Sequence, residues 1–436
     1  MLNRLKRVIG HRNVLRLLWH RTKGWTAALL CGFPASKLYV IGITGTDGKT
    51  TTVGMTAHIL RANGIQTGAL STASMQIGEE GTWNATQKTS PSPFVVQKFL
   101  SRCRKAGCTH VVLECSSHGL VQGRLASIVL DVAAITNISE EHLDYHGTMQ
   151  QYRNDKALLF AMLHGRGTKV LNKDDSTYKE YSRIQSKNTI SYSAHSNNAT
   201  LTLSDIQLTP KYSTAWVHYE EENASAKLTV PLPGSFNLEN ALCAISCVQG
   251  FISVSSACNA LSTFGGVPGR MEAIDEGQPF SVFVDFTVTP AAYEKTLSTL
   301  RQMLAPGKRV LVLTGSCGDR MQEKRPKVGK ICSQLADVVV VTNEDPYTED
   351  PQKIIDEVWA GVDQTACQAT QIFDRREAIR YLFDEAREGD IVILCAKGSD
   401  TTMWVKDGQI PWNEREIARE LLRTQKTSPA HNVRGK

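Results

Sequence analysis

The chain has 436 residues, of which 41% are hydrophobic and 21% are charged, and its formal net charge at pH 7 is +6. This length predicts about two or three domains, and the mild charge gives no reason to expect a nucleic-acid partner. The 11 cysteines contain no C-x-x-C pair, and no apolar run approaches the ~20 residues that cross a bilayer. These features exclude disulfide-framework, zinc-ribbon and membrane-spanning proteins, so we predict a cytoplasmic protein and expect a monomer.

The N-terminal 37 residues form a basic leader. No Asp or Glu occurs before Asp47, whereas basic residues crowd the first half of this segment: Arg4, Lys6, Arg7, Arg12, Arg16, Arg21 and Lys23. This composition is typical of a targeting sequence. It is also typical of an amphipathic helix that contacts an anionic membrane surface through Leu5, Val8, Leu15, Leu18 and Trp19. We favour a third interpretation, a helix packed on the following domain with its basic face in water.

A glycine-rich turn follows the first predicted strand. The apolar stretch around Val40, Ile41 and Ile43 predicts a buried parallel strand, and a helix is expected to begin near Lys49. A strand, a tight turn and a helix N-terminus with a lysine form an anion site. We therefore predict that the glycine loop binds nucleotide phosphates; its residues are Gly45, Thr46, Asp47, Gly48, Lys49, Thr50 and Thr51. The spacing departs from G-x-x-x-x-G-K because Ile43 occupies the first glycine position.

Two further strand ends carry polar side chains. A strand over 109–115 delivers Glu114, and a strand over 129–136 leads to His142. Ligands collect outside the carboxyl ends of parallel strands, so Glu114 and His142 are predicted to converge with Thr50 at a magnesium–phosphate site. In the helix predicted over 149–163, Lys156 lies on the apolar stripe, where it must snorkel, pair or take part in chemistry.

The remaining pattern predicts an appended sheet and a second domain. Residues 186–231 alternate as antiparallel strands do, and Gly265–Met271 has the composition of a hinge. Strands at 281–286, 309–314, 337–342 and 390–394 then predict a second open α/β sheet, with a cleft that closes over substrates. The fold class is α/β: a central P-loop-type doubly wound domain (38–266) with a small antiparallel appendage, a C-terminal Rossmann-like domain (267–423) and a disordered tail (424–436).

Several motifs resemble the Mur ligase family, the ATP-dependent amide-forming enzymes of peptidoglycan precursor synthesis. The resemblance is greatest to members that add a third amino acid to UDP-N-acetylmuramoyl-L-alanyl-D-glutamate. Its motifs are T-G-T-D-G-K-T-T-T at 44–52, E-C-S-S-H-G-L at 114–120, T-N-I-S-E-E-H-L-D-Y-H-G at 136–147, L-P-G-S-F-N-L-E-N-A at 232–241, V-P-G-R-M-E at 267–272, G-D-R at 318–320, K-R-P at 324–326, D-R-R-E-A-I at 374–379 and N-E-R-E at 413–416.

The resemblance implies a role for each matching residue. Lys49 would clamp the β- and γ-phosphates of ATP, while Thr50 and Glu114 hold one Mg²⁺ and His142 holds a second. Lys156 matches the family's carbamylated lysine. The positions that match the muramoyl-dipeptide contacts are Thr89, Ser90, Ser116, Gln122 and Arg124. Asn237 and Asn240 match a segment near the adenine, Arg270 and Asp285 match nucleotide-side residues, and Asp345 and Asp400 match the region of the incoming amino acid.

The implied chemistry has two steps. The γ-phosphoryl group of ATP is transferred to the substrate carboxylate, and an amine then attacks the acyl phosphate to give an amide, ADP and phosphate. This reaction requires positioning and charge neutralisation more than a protein nucleophile.

The sequence departs from the family pattern at several places. Val288 occupies the position of a family histidine, Tyr347 the position of an arginine that would hold a distal carboxylate, and 396–400 reads A-K-G-S-D instead of G-K-G-H-E. We therefore expect a basic amino acid, with Asp400 meeting its amine. The short leader in place of an N-terminal uridine-binding domain leads us to expect that removing UDP from the acceptor costs less than about tenfold in kcat/KM.

Two alternatives remain open at this point. One is a Mur-like ligase that acts on another acid, of the folylpolyglutamate or cyanophycin type. The other is a nucleotide-binding scaffold that has lost catalysis. The presence of all four predicted site residues argues against it: Lys49, Glu114, His142 and Lys156.

Overall fold

The computed structural model describes residues 13–86 and 88–427 and divides the chain into two compact units. Of the described residues, unit 1 takes those up to Gln207, together with Ser213–Pro231 and Ser235–Gly265. Unit 2 takes Leu208–Tyr212, Leu232–Gly234 and the residues from Gly266 onward. Within the described ranges, no helix combines the length and the apolarity that a membrane span requires.

Unit 1 is built on one 11-stranded sheet. Its strands are β1 (Tyr39–Thr44), β2 (Thr67–Leu70), β3 (Ser74–Ile77), β4 (Glu80–Trp83), β5 (His110–Glu114), β6 (Val132–Ile135), β7 (Thr168–Asn172), β8 (Asn188–Ser193), β9 (Leu201–Leu208), β10 (Ser213–Tyr219) and β11 (Ala224–Val230). Its helices are α1 (Val14–Leu30), a 3₁₀ turn (Pro34–Lys37), α2 (Lys49–Ala62), α3 (Pro93–Lys105), α4 (Ser117–Val121), α5 (Leu143–His146), α6 (Met149–Ala161), α7 (Tyr178–Tyr181), α8 (Ser235–Cys247) and α9 (Val254–Leu261).

The strand order positions the predicted site. It runs β11-β10-β9-β8-β7-β6-β1-β5-β2-β3-β4, and β1 lies between β6 and β5, parallel to both. These three strands are apolar and buried on both faces, as parallel strands covered by helices are. Their carboxyl ends therefore lie side by side, which brings the glycine loop, Glu114 and the segment after β6 to one edge of the sheet.

The predicted appendage is not a separate sheet. Strands β8 and β9 pair in parallel with the strands before them, so residues 188–230 continue the central sheet, and β10 and β11 form an antiparallel hairpin at its end. Alternating polar and apolar residues indicate that one face of a strand is exposed. They do not indicate which sheet the strand joins, so the sequence could not show that these strands extend the central sheet.

Unit 2 carries the second predicted α/β sheet, with strand order β12-β13-β17-β14-β15-β16. Its strands are β12 (Glu272–Ala273), β13 (Ser281–Val284), β14 (Val310–Thr314), β15 (Val338–Val341), β16 (Gln368–Gln371) and β17 (Ile391–Leu394), with a hairpin of β18 (Thr402–Val405) and β19 (Gly408–Pro411). Its helices are α10 (Pro290–Met303), α11 (Lys324–Leu335), α12 (Pro351–Trp359), α13 (Arg375–Glu385) and α14 (Glu414–Thr427). The α/β fold class is thus confirmed.

The predicted disordered tail is wrong at its start. Residues 424–427 belong to α14, whose Ala418, Leu421 and Leu422 are buried in the apolar core of unit 2. The last turn of α14 is polar, so its composition suggested disorder. The apolar residues of the preceding turns hold the helix against the core. Residues 428–436 lie outside the described part of the chain.

The favoured interpretation of the leader is correct in part. Helix α1 packs on unit 1 through the buried Gly24, Ala27 and Ala28, while Arg21 and Lys23 are exposed. Leu18 and Trp19, however, are exposed as well. The basic residues up to Arg12, and Leu5 and Val8, lie outside the described residues, as does the side chain of Leu15.

Candidate active site

The glycine loop turns at two glycines that no other residue could replace. Gly45 has φ +149° and Gly48 has φ +78°. A Cβ atom on Gly45 would lie 1.8 Å from Thr136 Oγ1, and one on Gly48 would lie 2.2 Å from Asn240 Oδ1. The loop is therefore held against the end of β6 on one side and against α8 on the other, and α2 begins directly at Lys49.

The segment after β6 fixes the loop backbone. Asn137 accepts hydrogen bonds from the amide of Thr46 through its carbonyl (2.8 Å) and from the amide of Asp47 through its side chain (3.0 Å). Those two amides are engaged within the protein. The amides of Lys49, Thr50 and Thr51 occupy the first turn of α2, where a helix leaves its N–H groups without intrahelical partners, so they are the ones suited to an anion.

Glu114 and Thr50 form the polar centre of this edge. The Thr50 hydroxyl donates to Glu114 Oε2 over 3.0 Å, and the same oxygen accepts from the amide (2.6 Å) and hydroxyl (3.0 Å) of Thr72. Thr89 joins this group because it accepts a 2.9 Å hydrogen bond from the Thr72 hydroxyl. Glu114 is almost fully buried. A buried carboxylate beside a threonine hydroxyl is a pair of oxygen ligands of the kind that Mg²⁺ prefers.

Two lysines meet at the loop. Lys49 Nζ donates to the carbonyl of Thr46 over 2.6 Å, and Lys156 Nζ donates to the carbonyl of Gly45 over 2.5 Å. Lys156 also lies over the ring of Tyr152, 4.6 Å from its centroid. Burial, and then the charge of Lys49, lowers the pKa of Lys156 well below its ordinary value. An amine that is easily deprotonated can act as a nucleophile, which a carbamate requires.

His142 lies at the N-terminus of α5 in a left-handed conformation, with φ +56°. Burial, followed by the charges of Lys156 and Lys49, lowers the pKa of His142 to about 3. The imidazole is therefore neutral at pH 7, which is the form that binds a metal. A positive φ at a non-glycine residue is a strained conformation that persists only where its surroundings hold it.

The side chains predicted to contact the acceptor, apart from Thr89, form a second group, centred on Ser90. Its hydroxyl accepts from the amide (3.0 Å) and hydroxyl (3.2 Å) of Ser116 and donates to the carbonyl of Glu114 (3.3 Å). Arg124 donates to the carbonyl of Ser90 (2.6 Å) and binds Gln122 Oε1 through two nitrogens (2.7 and 3.1 Å). This group adjoins the Glu114 site through β5, so both belong to one edge of unit 1.

Asn237 and Asn240 lie on α8, directly behind the loop. Asn240 Nδ2 donates to Asn237 Oδ1 (3.4 Å), and the Thr52 hydroxyl donates to Asn240 Oδ1 (3.4 Å). Both asparagines are buried. In the structure they support the helix that follows the glycine loop.

Unit 2 holds the other predicted residues. Arg270 lies over the ring of Phe286 (4.6 Å), and its buried Nε has no hydrogen-bond partner among the described residues. Asp285 accepts from the Met271 amide (2.7 Å) and from the Thr287 hydroxyl. The Arg270 side chain thus offers an unsatisfied donor, whereas the Asp285 carboxylate helps to fix the chain around Met271.

The predicted amino-acid residues are joined by Lys397. Its Nζ lies 2.7 Å from Asp345 Oδ1 and 3.4 Å from Asp400 Oδ2. Burial opposes the charged amine, but the charges of Asp345 and Asp400 prevail and raise the pKa of Lys397. Both carboxylates therefore already face a cation, which sequence patterns gave no means of predicting.

The position of the missing arginine is filled by an aromatic stack. Tyr347 stacks on Trp404 with ring centroids 5.6 Å apart and planes inclined by 19°. Arg320 donates to the Tyr347 hydroxyl (3.1 Å) and lies over its ring. A flat apolar wall with one arginine, Arg320, thus occupies the place where the resemblance would put an arginine at position 347.

Sequence reasoning missed two residues that touch the site. Thr72 follows β2, a strand that the sequence analysis did not identify although Thr67–Leu70 lies between two turn-like segments. Tyr152 received no role from the sequence, yet its hydroxyl lies 3.2 Å from Thr46 Oγ1. The sequence did contain one indication: Tyr152 lies one helical turn before Lys156, on the same stripe of the helix.

The residues present fit a magnesium nucleotide. Within the described residues, no three His, Cys, Asp or Glu side chains form a preformed metal cluster. Mg²⁺ is commonly bound through one or two carboxylates together with substrate phosphates, so Thr50 and Glu114 suffice beside the amides of α2. The tight turns at Gly45 and Gly48 leave the loop as a cradle that side chains would otherwise fill.

Comparison with known proteins agrees with this geometry. The Mur ligase middle domain profile matches residues 43–248, and the profile of the Mur ligase, glutamate ligase domain matches residues 269–398. The UDP-N-acetylmuramoyl-L-alanyl-D-glutamate–2,6-diaminopimelate ligase of Geobacillus kaustophilus is 35% identical over 402 residues, which cover 90% of this chain and 80% of the relative. The UDP-N-acetylmuramyl-tripeptide synthetase of Roseiflexus sp. is 37% identical over 421 residues, or 91% and 81% of the two chains.

Solved structures show the same relationship. A UDP-N-acetylmuramoyl-L-alanyl-D-glutamate–2,6-diaminopimelate ligase superposes with a TM-score of 0.66 at 27% identity, covering 94% of this chain and 83% of that one. The MurF ligase of Thermotoga maritima in complex with ADP superposes with a TM-score of 0.65 at 18% identity, covering 92% and 85%, which shows a common fold. The chain therefore belongs to the Mur ligase family.

Proposed function

We propose that this chain is an ATP-dependent carbon–nitrogen ligase that adds an amino acid to a UDP-N-acetylmuramoyl dipeptide during peptidoglycan precursor synthesis. The observation that carries the proposal is the meeting of Lys49, Thr50, Glu114 and Lys156 at one edge of the central sheet. Two amines, a carboxylate and the first turn of a helix supply the charges that phosphoryl transfer needs.

We assign the nucleotide to the glycine loop. Lys49 neutralises charge on the β- and γ-phosphates, and the first-turn amides of α2 bind phosphate oxygens. Thr50 and Glu114 would hold Mg²⁺, and His142 and Lys156 would hold a second ion. A metal bound there would supply positive charge to the transferring phosphoryl group. In this proposal Asn237 and Asn240 on α8 also contact the nucleotide. Arg270 and Asp285 of unit 2 are proposed as nucleotide-binding residues from the family resemblance alone.

Lys156 is proposed to act as a carbamate. The ammonium first loses one proton to give the neutral amine. Addition of CO₂ to this amine then forms a C–N bond and releases a second proton, so that an inward cation becomes an anion. The lowered pKa of Lys156 favours the neutral amine that this addition requires. The change of sign relieves the repulsion between Lys156 and Lys49 and supplies a carboxylate ligand for Mg²⁺.

The acceptor is assigned to the group around Ser90. Thr89, Ser90, Ser116, Gln122 and Arg124 would hold the muramoyl dipeptide so that its free carboxylate meets the γ-phosphate. The amine of the amino acid then attacks the acyl phosphate, forming the C–N bond and releasing phosphate. Asp345 and Asp400 would orient the incoming amino acid.

The broader assignments follow from the same reasoning. We propose that residues 38–266 form the ATP-binding Mur ligase domain, that residues 267–423 form the C-terminal Mur ligase domain, and that the enzyme works in the cytoplasm as a monomer. Sedimentation velocity on the purified chain tests the last point.

The experiment is ATP-dependent phosphate release, measured with a panel of acceptors and amino acids. UDP-N-acetylmuramoyl-L-alanyl-D-glutamate with a basic or diaminoacid substrate should give the fastest release, and product mass should rise by the amino acid less one water. Faster release with folylpolyglutamate or a cyanophycin-type peptide would identify a ligase for another acid. No release with any pair would identify a scaffold.

A further inference from the structure

Helix α1 exposes an apolar face, in which the exposed Thr22 and Thr26 also lie. Val14, Leu18, Trp25 and Leu29 are 52–71% exposed. Their spacing of 4, 7 and 4 residues places them on one stripe of an α-helix. Trp19 and Leu30 widen the stripe on one side, and both are more than half exposed. Large apolar side chains are rarely grouped in this way on a soluble surface unless something covers them.

The packing of α1 on unit 1 does not use these side chains. Its inner face consists of small residues, and a Cβ atom on Gly24 would lie 2.7 Å from the Cβ of Ala126 and 2.8 Å from the carbonyl of Gly123. The close approach depends on the missing side chain, which fixes the rotation of the helix and keeps the large side chains outward. Phe33 extends the exposed surface, since its ring lies 6.3 Å from that of Trp25.

Positive charge borders this apolar face. At 3.6 residues per turn, Arg21 falls at one edge of the exposed arc and Lys23 at the other. Both are exposed, and the Lys23 ammonium lies 5.0 Å from the Trp19 ring centroid. No acidic residue precedes Asp47, so no carboxylate of this segment offsets the charge. The occupant of the face must therefore be apolar at its centre and anionic at its margin.

We infer that α1 docks the enzyme on the surface of an anionic lipid bilayer. The helix lies in the plane of the interface, with its apolar stripe at the boundary between headgroups and acyl chains. Tryptophan favours this depth, and Arg21 and Lys23 reach lipid phosphates from the edges of the stripe. A second copy of the chain fits less well, because stacking two such faces brings four cations together.

The test uses the full-length protein and extruded vesicles of phosphatidylcholine, alone or with phosphatidylglycerol at a molar ratio of about 7:3. Co-sedimentation at low salt should give a partition coefficient at least about tenfold higher on the anionic vesicles, with a blue shift of tryptophan emission. Raising the ionic strength from about 0.05 to 0.5 M should lower that coefficient at least about fivefold, because salt screens the lipid charge.

Variants locate the surface. The double substitution Trp25→Gln, Leu29→Gln should reduce binding to anionic vesicles at least about tenfold, and Arg21→Gln, Lys23→Gln should weaken the preference for them at least about fivefold. Trp216→Gln is the matched control, because Trp216 is an exposed tryptophan on β10 and should bind as the wild type does. ATP-dependent phosphate release confirms that each variant is folded; the salt and lipid series on the wild type needs no variant.

Three results would overturn the inference. They are equal binding to neutral and anionic vesicles, no binding to either, and a vesicle-free dimer that the Trp25→Gln, Leu29→Gln protein no longer forms. The last would show that a second copy covers the face.

Discussion

The ammonium group of Lys156 lies 2.5 Å from the backbone carbonyl oxygen of Gly45, the residue at which the glycine loop leaves β1. Helix α6 thereby places a buried cation beside the loop that also carries Lys49. Two positively charged amines stabilise bound phosphates, but they repel a metal ion. A metal ion at this position therefore needs a carboxylate ligand, which a carbamate on Lys156 would supply. The contact thus locates a buried side chain whose modification would change the charge of the site.

Replacing Lys156 by alanine should abolish phosphate release, and added acetate should restore part of it. The reason is that a small carboxylate can occupy the place of the proposed carbamate and supply its oxygen ligands. The measurement is initial rate against acetate concentration, with Lys49→Ala as the control that acetate should not rescue. Full activity of the Lys156→Ala enzyme without additives would mean that the lysine only pairs with the loop.

Replacing Lys49 by alanine should lower ATP turnover at least about a hundredfold. A charge-assisted contact to a transferring phosphoryl group is worth several kcal/mol in the transition state, or roughly 3 kcal/mol for this loss. Phosphate release at saturating substrates measures it, and Lys37→Ala, an exposed lysine at the end of the 3₁₀ turn, serves as control. Turnover within about threefold of the wild type would refute the assignment of the loop.

Much of this site could be predicted because its residues follow strands in the sequence. The glycine loop follows β1 and Glu114 ends β5, so the parallel sheet dictates where each appears. Lys156 was predicted to face inward from helical spacing alone, and it is buried. These features depend on local pattern and on the general properties of α/β sheets.

The rest depended on contacts that pattern does not encode. Thr72 reaches Glu114 only because β2 pairs with β5, and Trp404 stacks on Tyr347 across 57 residues of chain. Lys397 satisfies two carboxylates from a third segment. Likewise, the close contact between Gly24 and Ala126 determines which face of α1 is exposed, and the sequence of the helix alone does not predict this contact.

The amino acid used should be lysine or another basic amino acid in preference to meso-diaminopimelate. Tyr347 and Trp404 form an apolar wall, and Arg320 is engaged with the Tyr347 hydroxyl, so a second carboxylate finds no arginine at position 347. A competition assay with both amino acids at equal concentration measures the preference.

The Tyr347→Arg enzyme sharpens this test. An added guanidinium can bind a carboxylate through two hydrogen bonds, so the variant should shift the product ratio toward diaminopimelate at least about tenfold. A wild-type enzyme that already favours diaminopimelate by tenfold or more would contradict the prediction.

Two neighbouring ion pairs between α13 and α14 should differ in their contribution to stability. Arg375 and Glu414 are fully buried, with nitrogen and oxygen 2.5 Å apart, whereas Arg376 and Glu420 pair at the surface over 2.6 Å. Glu414→Ala should lower the free energy of unfolding by about 3–5 kcal/mol, since it leaves a buried guanidinium without its partner. Glu420→Ala is the control and should cost less than about 1 kcal/mol.

Urea titration of both proteins measures the difference. Equal losses in the two variants would mean that the buried pair is replaced by water or by another acceptor. The carbonyls of Asn343 and Cys395, which also accept from Arg375, are the nearest candidates for that role.

The buried pair also imposes an order of events on biosynthesis. Arg375 leaves the ribosome 39 residues before Glu414. At about 5–20 residues per second, roughly 2–8 seconds pass before the partner exists, and during that time the guanidinium cannot be buried without a large penalty. The sheet of unit 2 can therefore close over its core only once α14 has been synthesised. The glycine loop, Glu114 and Lys156 all precede α14 in the chain, so a nascent chain should present this edge of the central sheet while its second half is still unfolded and open to chaperones and proteases.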